Sequence, residues 1–150
     1  LLYHEAGIET YYVNNPDHAW NIVKIGGHYF HADSTWDDGD KINRDNFLKS
    51  DSQFIAHGGS HAEWQGYIPT SLHKFQKERT PECKYQIGDV NTDSKISVAD
   101  IVKMNRYLLG AESVNEENSI LYDFNFDSKI DVFDLIYIRM NFLDNSENSD

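Results

Sequence analysis

The most constraining feature of this sequence is an internal repeat with a period of 34 residues. Residues 89–100 (DVNTDSKISVAD) align with residues 123–134 (DFNFDSKIDVFD). Each copy runs directly into an apolar segment with helical periodicity, residues 101–109 and 135–143. We therefore expect two loop-and-helix units that share one small core.

Each twelve-residue segment carries oxygen-bearing residues at the spacing of a calcium loop. Ca²⁺ takes roughly six to eight oxygen ligands, and such a loop supplies them from positions 1, 3, 5, 7, 9 and 12, with position 7 using its backbone carbonyl. The predicted ligands are Asp89, Asn91, Asp93, Lys95, Ser97 and Asp100 in the first copy, and Asp123, Asn125, Asp127, Lys129, Asp131 and Asp134 in the second. No His or Cys falls at a ligand position, which makes zinc a poor fit. A single match would be weak, but two in the same register predict two bound Ca²⁺ ions.

The loops depart from a complete EF-hand in three ways. Position 6, where the EF-hand has glycine, is Ser94 in the first copy and Ser128 in the second. Position 12 is aspartate instead of glutamate, so the following helix must come closer to the ion. No convincing helix precedes Asp89. Each repeat is therefore a loop followed by a helix, which is half of a helix–loop–helix unit.

The charge of the sequence agrees with cation binding. The formal charge of -12 argues against nucleic acid as a partner. Residues 85–150 contain 5 basic and 13 acidic side chains, compared with 8 and 12 in residues 1–84. Two divalent cations would cancel about half of the excess in the C-terminal part. No apolar run approaches the roughly 18 residues that a membrane span needs.

With these two loops and helices, residues 87–144 resemble a type I-like dockerin, the module that docks enzymes onto cohesin domains of cellulosomal scaffolds. The resemblance implies two Ca²⁺ ions, a fold organised by them, and the cohesin of a scaffoldin as partner. It also implies an extracellular place in a cellulosome or cell-surface assembly of a bacterium. A calcium buffer without a protein partner remains the alternative.

The helical period divides the residues of each repeat between an inner and an outer face. Ile101, Met104 and Leu108, with Leu135, Ile138 and Phe142, are expected to form the shared core. The outer face comprises Val98, Ala99, Val102, Asn105 and Arg106, matched by Val132, Phe133, Ile136, Arg139 and Met140. These positions are similar to those that contact cohesin in dockerins; ordinary core packing is the alternative. Because the two halves of the face differ, we expect one dominant binding orientation.

The N-terminal part contains a hairpin signal, Gly26-Gly27, between two strands at residues 19–25 and 28–32. If these glycines form a two-residue turn, His18 and Asp33 lie on the same face as diagonal neighbours, about 7–8 Å apart at the backbone. A hydrogen bond can close that gap, giving a carboxylate that orients an imidazole base. Alternatively, His18 merely borders a strand and Asp33 caps a loop.

The same stretch, HAWNIVKIGGHYFHADSTWDD, resembles the core of transglutaminase-like cysteine hydrolases. The resemblance covers roughly residues 1–68, and we expect the C-terminal part of such a domain to occupy residues 1–71. It implies that His18 is the general base and that Asp33 orients it. The nucleophilic cysteine of that family lies upstream of the segment corresponding to Leu1, and Cys83 falls in the expected linker, residues 72–86. We therefore expect this chain alone to be inactive. The alternative is that the chain is part of an active cysteine peptidase or amidase whose nucleophile lies upstream.

The expected fold class is α+β, with a truncated transglutaminase-like antiparallel sheet followed by a small α-helical dockerin and a polar tail, residues 145–150. A short helix is predicted at Asn46–Lys49. We expect His28, His31, His57 and His61 to be surface or packing residues.

Overall fold

The computed structural model describes residues 2–38, 44–56, 61, 63–71 and 74–147. The chain divides into two compact units, Leu1–Lys84 and Tyr85–Asp150. Unit 1 is built around a sheet and unit 2 is helical, so the predicted α+β class is confirmed.

Unit 1 contains a six-stranded antiparallel sheet with the order β4-β3-β2-β1-β5-β6. The strands are β1 (Thr10–Asn14), β2 (Ala19–Ile25), β3 (His28–Ala32), β4 (Phe47–Lys49), β5 (Gln65–Ser71) and β6 (Lys74–Glu78). Three short helices accompany it in the described part of the unit: α1 (Leu2–Glu5), α2 (Ser34–Asp37) and α3 (Asp51–Ala56).

The β2–β3 hairpin has the predicted register. Asn21 pairs with Ala32 and Ile25 pairs with His28 across a turn at Gly26-Gly27. Gly26 has a φ of 59°, a left-handed conformation that glycine adopts without strain. The register places His18 and Asp33 at the open end of the hairpin, on the same face as Trp20.

One face of this sheet packs against α3. Val13, Trp20 and Ile22 are buried together with Phe54 from α3 and with Cys83. Tyr11, Tyr29 and Trp64 surround this cluster. Each large apolar side chain buried here contributes roughly 1.5–3 kcal/mol, so the core fixes the strands that carry His18 and Asp33.

Two predictions for unit 1 are wrong in their secondary structure. The segment Asn46–Lys49 is not a helix: Phe47–Lys49 form β4, because their backbone pairs with His31 and Ala32 of β3. Residues 72–86 are not simply a linker, because residues 74–78 form edge strand β6. Cys83 lies in the core, and its carbonyl accepts a 2.8 Å hydrogen bond from the backbone N–H of Asp51.

Unit 2 contains α4 (Val98–Leu108), α5 (Ser119–Tyr122) and α6 (Val132–Glu147). A capping box formed by Ser97 and Asp100 begins α4. At its end, Gly110 adopts a φ of 71° and its N–H donates to the carbonyl of Tyr107. The one-turn helix α5 leads into the second loop, whereas the residues just before Asp89 are not helical.

The shared core of unit 2 follows the predicted helical period. Met104, Leu135 and Ile138 are buried, while Ile101, Leu108 and Phe142 are half-buried. Val90, Leu121 and Tyr122 add to the buried set. In the part of the chain that the structure describes, no helix has the length and apolar character required to cross a membrane.

Candidate functional site

The first loop of unit 2 is closed by the carboxylates at its two ends. Asp89 accepts backbone hydrogen bonds from Asp93 (3.0 Å) and Ser94 (2.8 Å), one on each oxygen. Asp100 accepts from the backbone N–H groups of Asn91 (3.1 Å) and Ser97 (2.8 Å). Positions 1 and 12 are thereby fixed relative to the backbone between them, and both carboxylates are fully buried.

The second loop repeats this scheme atom for atom. Asp123 accepts from the backbone of Asp127 (3.1 Å) and Ser128 (2.9 Å). Asp134 accepts from Asn125 (3.2 Å) and Asp131 (2.9 Å). The predicted alignment of the two segments is therefore present in three dimensions as well as in the sequence.

The remaining predicted ligands lie at positions 3, 5, 7 and 9 of each loop. At positions 3 and 5, Asn91 donates through its side-chain amide to Asp93 at 3.0 Å, and Asn125 donates in the same way to Asp127 at 3.2 Å. The position 7 lysines, Lys95 and Lys129, donate their backbone N–H to the position 5 carboxylates. At position 9, Ser97 and Asp131 accept from the backbone N–H groups of Ala99 and Phe133, so these side chains cap α4 and α6.

Both loops hold two non-glycine residues in the left-handed region. Position 6 has a φ of 71° at Ser94 and 65° at Ser128, and position 4 has 62° at Thr92 and 59° at Phe126. Such a conformation costs roughly 1–3 kcal/mol per residue unless the surroundings impose it. Here it turns the N–H of position 6 toward the carboxylate of position 1, so serine adopts the backbone conformation expected of the EF-hand glycine.

The two loops also contact each other within unit 2. The backbone N–H of Gly88, just before the first loop, donates to the carbonyl of Leu121 at 2.9 Å. Gly88 has a φ of 97°, and a Cβ atom added there would lie 2.8 Å from the ring of Phe124 in the second loop. Glycine is therefore required at this position for the loops to pack closely.

The predicted outer face is exposed on α4, α6 and the residues that begin them. All ten of its residues lie on these two helices and are exposed, and seven of them are apolar. Exposed fractions reach 52% for Val102, 58% for Phe133 and 54% for Met140. Burial in the core of unit 2, the alternative for these residues, is contradicted by this exposure.

Residues 87–143 match the family model of the dockerin type I domain. Unit 2 carries a dockerin. The match supports calcium binding, a cohesin partner, and an extracellular location associated with a cellulosome. Comparison with curated proteins and with solved structures finds no match.

The dockerin loops have the electrostatics of a cation site. Burial raises the pKa of Asp89, against the effect of the two backbone donors, and the neighbouring carboxylates Asp100 and Asp93 raise it further. The pKa of Asp123 is raised for the same reasons, with Asp134 and Asp127 as its acidic neighbours. Grouped, partly desolvated carboxylates fit a divalent ion, and their hard oxygen atoms suit Ca²⁺.

In unit 1, the predicted contact between His18 and Asp33 is present. His18 Nε2 hydrogen-bonds to Asp33 Oδ2, and the imidazole ring lies between Trp20 and Trp36, at ring-centroid distances of 5.7 Å and 5.3 Å. The other oxygen of Asp33 accepts from the backbone N–H groups of Thr35 and Trp36, which begin α2. Asp33 therefore caps a short helix with one oxygen and hydrogen-bonds to His18 with the other.

A third residue of this cluster was not identified from the sequence. His61 is fully buried, as a packing residue would be, but its Nε2 also lies 3.2 Å from Asp33 Oδ2, a contact that the sequence did not predict. The two residues are 28 positions apart, and no spacing rule connects them. His57 lies outside the described residues.

A second buried cluster contains His31, Asp51 and Cys83. The indole N–H of Trp20 donates to His31 Nδ1 at 3.0 Å, so the neutral imidazole carries its proton on Nε2, which donates to Asp51 at 2.8 Å. Nε2 then has no free lone pair for a metal ion. Burial raises the pKa of Cys83, and the neighbouring Asp51 carboxylate raises it further, so the thiol stays protonated.

Proposed function

We propose that the dockerin binds two Ca²⁺ ions, one in each loop, and attaches the chain to the cohesin of an extracellular bacterial scaffold through the exposed face of α4 and α6. The observation that carries this proposal is the duplicated loop geometry. Two loops with the same hydrogen-bond scheme and the same left-handed residues precede the two helices that present the face.

The proposed ligands are the oxygen atoms at the six loop positions of each copy, Asp89 to Asp100 and Asp123 to Asp134. An ion in each loop would offset the mutual repulsion of the carboxylates that begin and end it. It would also tie position 12, which lies in the first turn of α4 or α6, to the start of the loop. Cation binding would therefore fix the orientation of both helices.

The proposed docking face combines apolar and charged side chains. Val102, Ile136 and Met140 are exposed apolar residues on the two helices, and Arg106 and Arg139 are charged members of the same set. Three members of this face, Val98, Asn105 and Arg139, line part of a groove of about 390 Å³ between α4 and α6. A cohesin that covers this face would remove the apolar side chains from water.

One dominant orientation is proposed because the two halves of the face differ. Ala99 in the first repeat corresponds to Phe133 in the second, and Arg106 corresponds to Met140. Arg106 also pairs with Glu112 at 2.6 Å, which holds its guanidinium on the first half. Rotating the dockerin by half a turn would place a methyl group where the partner meets a phenyl ring.

Calorimetric titration of the metal-stripped chain with Ca²⁺ tests the metal sites. We expect two ions to bind, and we expect Asp89→Asn and Asp123→Asn each to remove one of them. The two variants are matched controls, since each leaves the other loop intact. Uptake of a single ion by the unaltered chain would contradict the two-site proposal.

Binding to a panel of cohesins, with and without a calcium chelator, tests the partner. We expect at least one cohesin to bind in calcium and to be released by the chelator. A pure calcium buffer would bind none of the panel.

For unit 1, the His18–Asp33 hydrogen bond favours a second role. We propose that this unit is the C-terminal part of a transglutaminase-like cysteine hydrolase in which His18 is the general base and Asp33 orients it. Cys83 is not the nucleophile, because its thiol is buried beside Asp51. The purified chain should therefore show no peptidase or amidase turnover. Turnover that His18→Ala abolishes in this chain would refute the proposed inactivity.

A further inference from the structure

His61 is buried at the centre of the aromatic residues that surround Asp33. Its ring stacks on Phe54 with a centroid distance of 3.9 Å and lies 4.7 Å from Trp36 and 5.1 Å from Trp20. Its Nε2 faces Asp33 Oδ2, the same oxygen that hydrogen-bonds to His18. The imidazole therefore has both a packing role and a polar contact.

The surroundings of His61 define which of its nitrogens carries a proton. An ionised carboxylate only accepts hydrogen bonds, so the contact with Asp33 requires a proton on Nε2. The other nitrogen, Nδ1, is buried and has no hydrogen-bond partner among the described residues. Burial lowers the pKa of His61, while the hydrogen bond and charge of Asp33 act in the opposite direction. A second proton would create a buried, unpaired donor, so the ring is neutral.

With His61 included, four donors reach the two oxygens of the Asp33 carboxylate. Oδ1 accepts from the backbone of Thr35 and Trp36, and Oδ2 accepts from His18 and His61. We propose that His61 is a positioning residue: by donating to Oδ2 it keeps Asp33 in the orientation that holds His18 in the Nε2–H tautomer. The Nδ1 of His18 is thereby left as the nitrogen that can take a proton. This inference rests on the proposed roles of His18 and Asp33.

A metal ion bound by the same three side chains is the competing explanation. Their donor atoms all lie within 4.8 Å of one another. However, a metal-bound imidazole usually donates its other N–H to an acceptor, and Nδ1 of His61 has no such partner in the described part of the chain. The four hydrogen bonds to Asp33 also stabilise its carboxylate without a bound ion.

Nitrogen-15 NMR of the histidine rings, combined with two substitutions, tests the proposal. His61→Phe keeps an aromatic ring against Phe54 but removes the donor, whereas His61→Gln places an amide N–H near the former Nε2. We expect His61→Phe to increase the fraction of His18 in the Nδ1–H tautomer about fivefold, the effect of losing one hydrogen bond. We expect His61→Gln to keep the tautomer of the unaltered chain. A purely structural role of His61 predicts instead that the tautomer of His18 is unchanged in His61→Phe.

Measurements on the unaltered chain complete the test without depending on the folding of a variant. His61 should be neutral and protonated on Nε2 at neutral pH, and one equivalent of zinc should leave the Nε2–H signals of His18 and His61 in place. An Nδ1–H tautomer of His61, or loss of both signals on adding zinc, would overturn the proposal. These readouts concern the histidine rings alone, so they stand apart from any failure to find hydrolase activity.

Discussion

The two units place their buried and half-buried carboxylates in different surroundings. In unit 1, Asp33 and Asp51 are hydrogen-bonded to imidazole rings, which belong to the same folded core. In the dockerin, Asp89 and Asp123 accept from backbone N–H groups, and their pKa is raised first by burial and then by the neighbouring carboxylates. In unit 1 the hydrogen-bond partners of the carboxylates are all side chains or backbone of the folded protein, whereas the grouped carboxylates of the dockerin gain a compensating charge only when a cation binds. The comparison implies that the two units respond differently to the same change in solution.

Removing calcium should have the largest effect, and it should fall on the dockerin alone. The chain offers separate signals, because its three tryptophans, Trp20, Trp36 and Trp64, all lie in unit 1. With a chelator, we expect the far-ultraviolet circular dichroism of the helices to fall strongly while tryptophan emission stays unchanged, since the core of unit 1 contains no predicted calcium ligand. Restoring calcium should restore the helical signal. Equal loss of both signals would mean that the contrast between the units is wrong.

The next effect concerns the docking face of the loaded dockerin. Phe133→Asp should weaken cohesin binding by about a hundredfold, because it places a charge at a large exposed apolar residue of the face. Ala99→Asp, at the corresponding position of the first repeat, is the matched control and should weaken binding less than about threefold if one orientation dominates. Surface plasmon resonance with an immobilised cohesin measures both. Equal losses in the two variants would favour two equivalent orientations.

Within unit 1, the buried polar network should be sensitive to a change that leaves its shape intact. His31→Phe keeps the stacking on Phe54, which lies parallel at 4.3 Å, but leaves the Trp20 indole and Asp51 without their partner. We expect a loss of about 2–4 kcal/mol in the free energy of unfolding, followed by tryptophan emission in urea. His31→Gln, which loses the ring but keeps a donor and an acceptor, is the control and should lose about half as much. A loss in His31→Gln equal to or greater than that in His31→Phe would show that the ring, and not hydrogen bonding, decides the stability.

The smallest predicted effect is a dependence of unit 1 stability on pH. Burial raises the pKa of Cys83 in the folded state, so the unfolded chain releases the thiol proton at a lower pH than the folded chain does. The stabilising contribution of the protonated thiol is therefore fully present below the pKa of an unfolded thiol and is lost as the pH rises above that pKa. Relative to Cys83→Ser, the unaltered chain should lose about 1–2 kcal/mol between pH 7 and about pH 10. Denaturant unfolding in a reducing buffer measures the difference. Parallel pH profiles would show that the thiol ionises equally well in both states.

Local signals predicted the parts of the fold that depend on neighbouring residues. The Gly26-Gly27 turn fixed the register of β2 and β3, which was enough to bring His18 and Asp33 together. The repeat and its helical period likewise predicted the exposed face of the dockerin. The hairpin joins residues that are close along the chain, and the dockerin face belongs to a pattern that occurs twice. A single sequence is therefore enough to predict both features.

Features created by distant pairing could not be predicted in this way. Strand β6 is rich in charged residues and all five of its residues are exposed; it is a strand because its backbone pairs with β5. Similarly, β4 depends on its pairing with β3, and His61 reaches Asp33 only after the intervening elements have folded. None of these segments has an apolar alternation that would reveal its partner.

The position of Cys83 has a mechanical consequence. Only residues 84–88 lie between this buried residue and Asp89, the first proposed calcium ligand. If the chain were pulled through its C-terminal unit, tension along the backbone would reach the core of unit 1 at Cys83. There it would meet the hydrogen bond to Asp51 and a packed side chain before it could act on the edge strand β6. We therefore expect a pulling force to break these contacts of Cys83 before it separates β6 from β5.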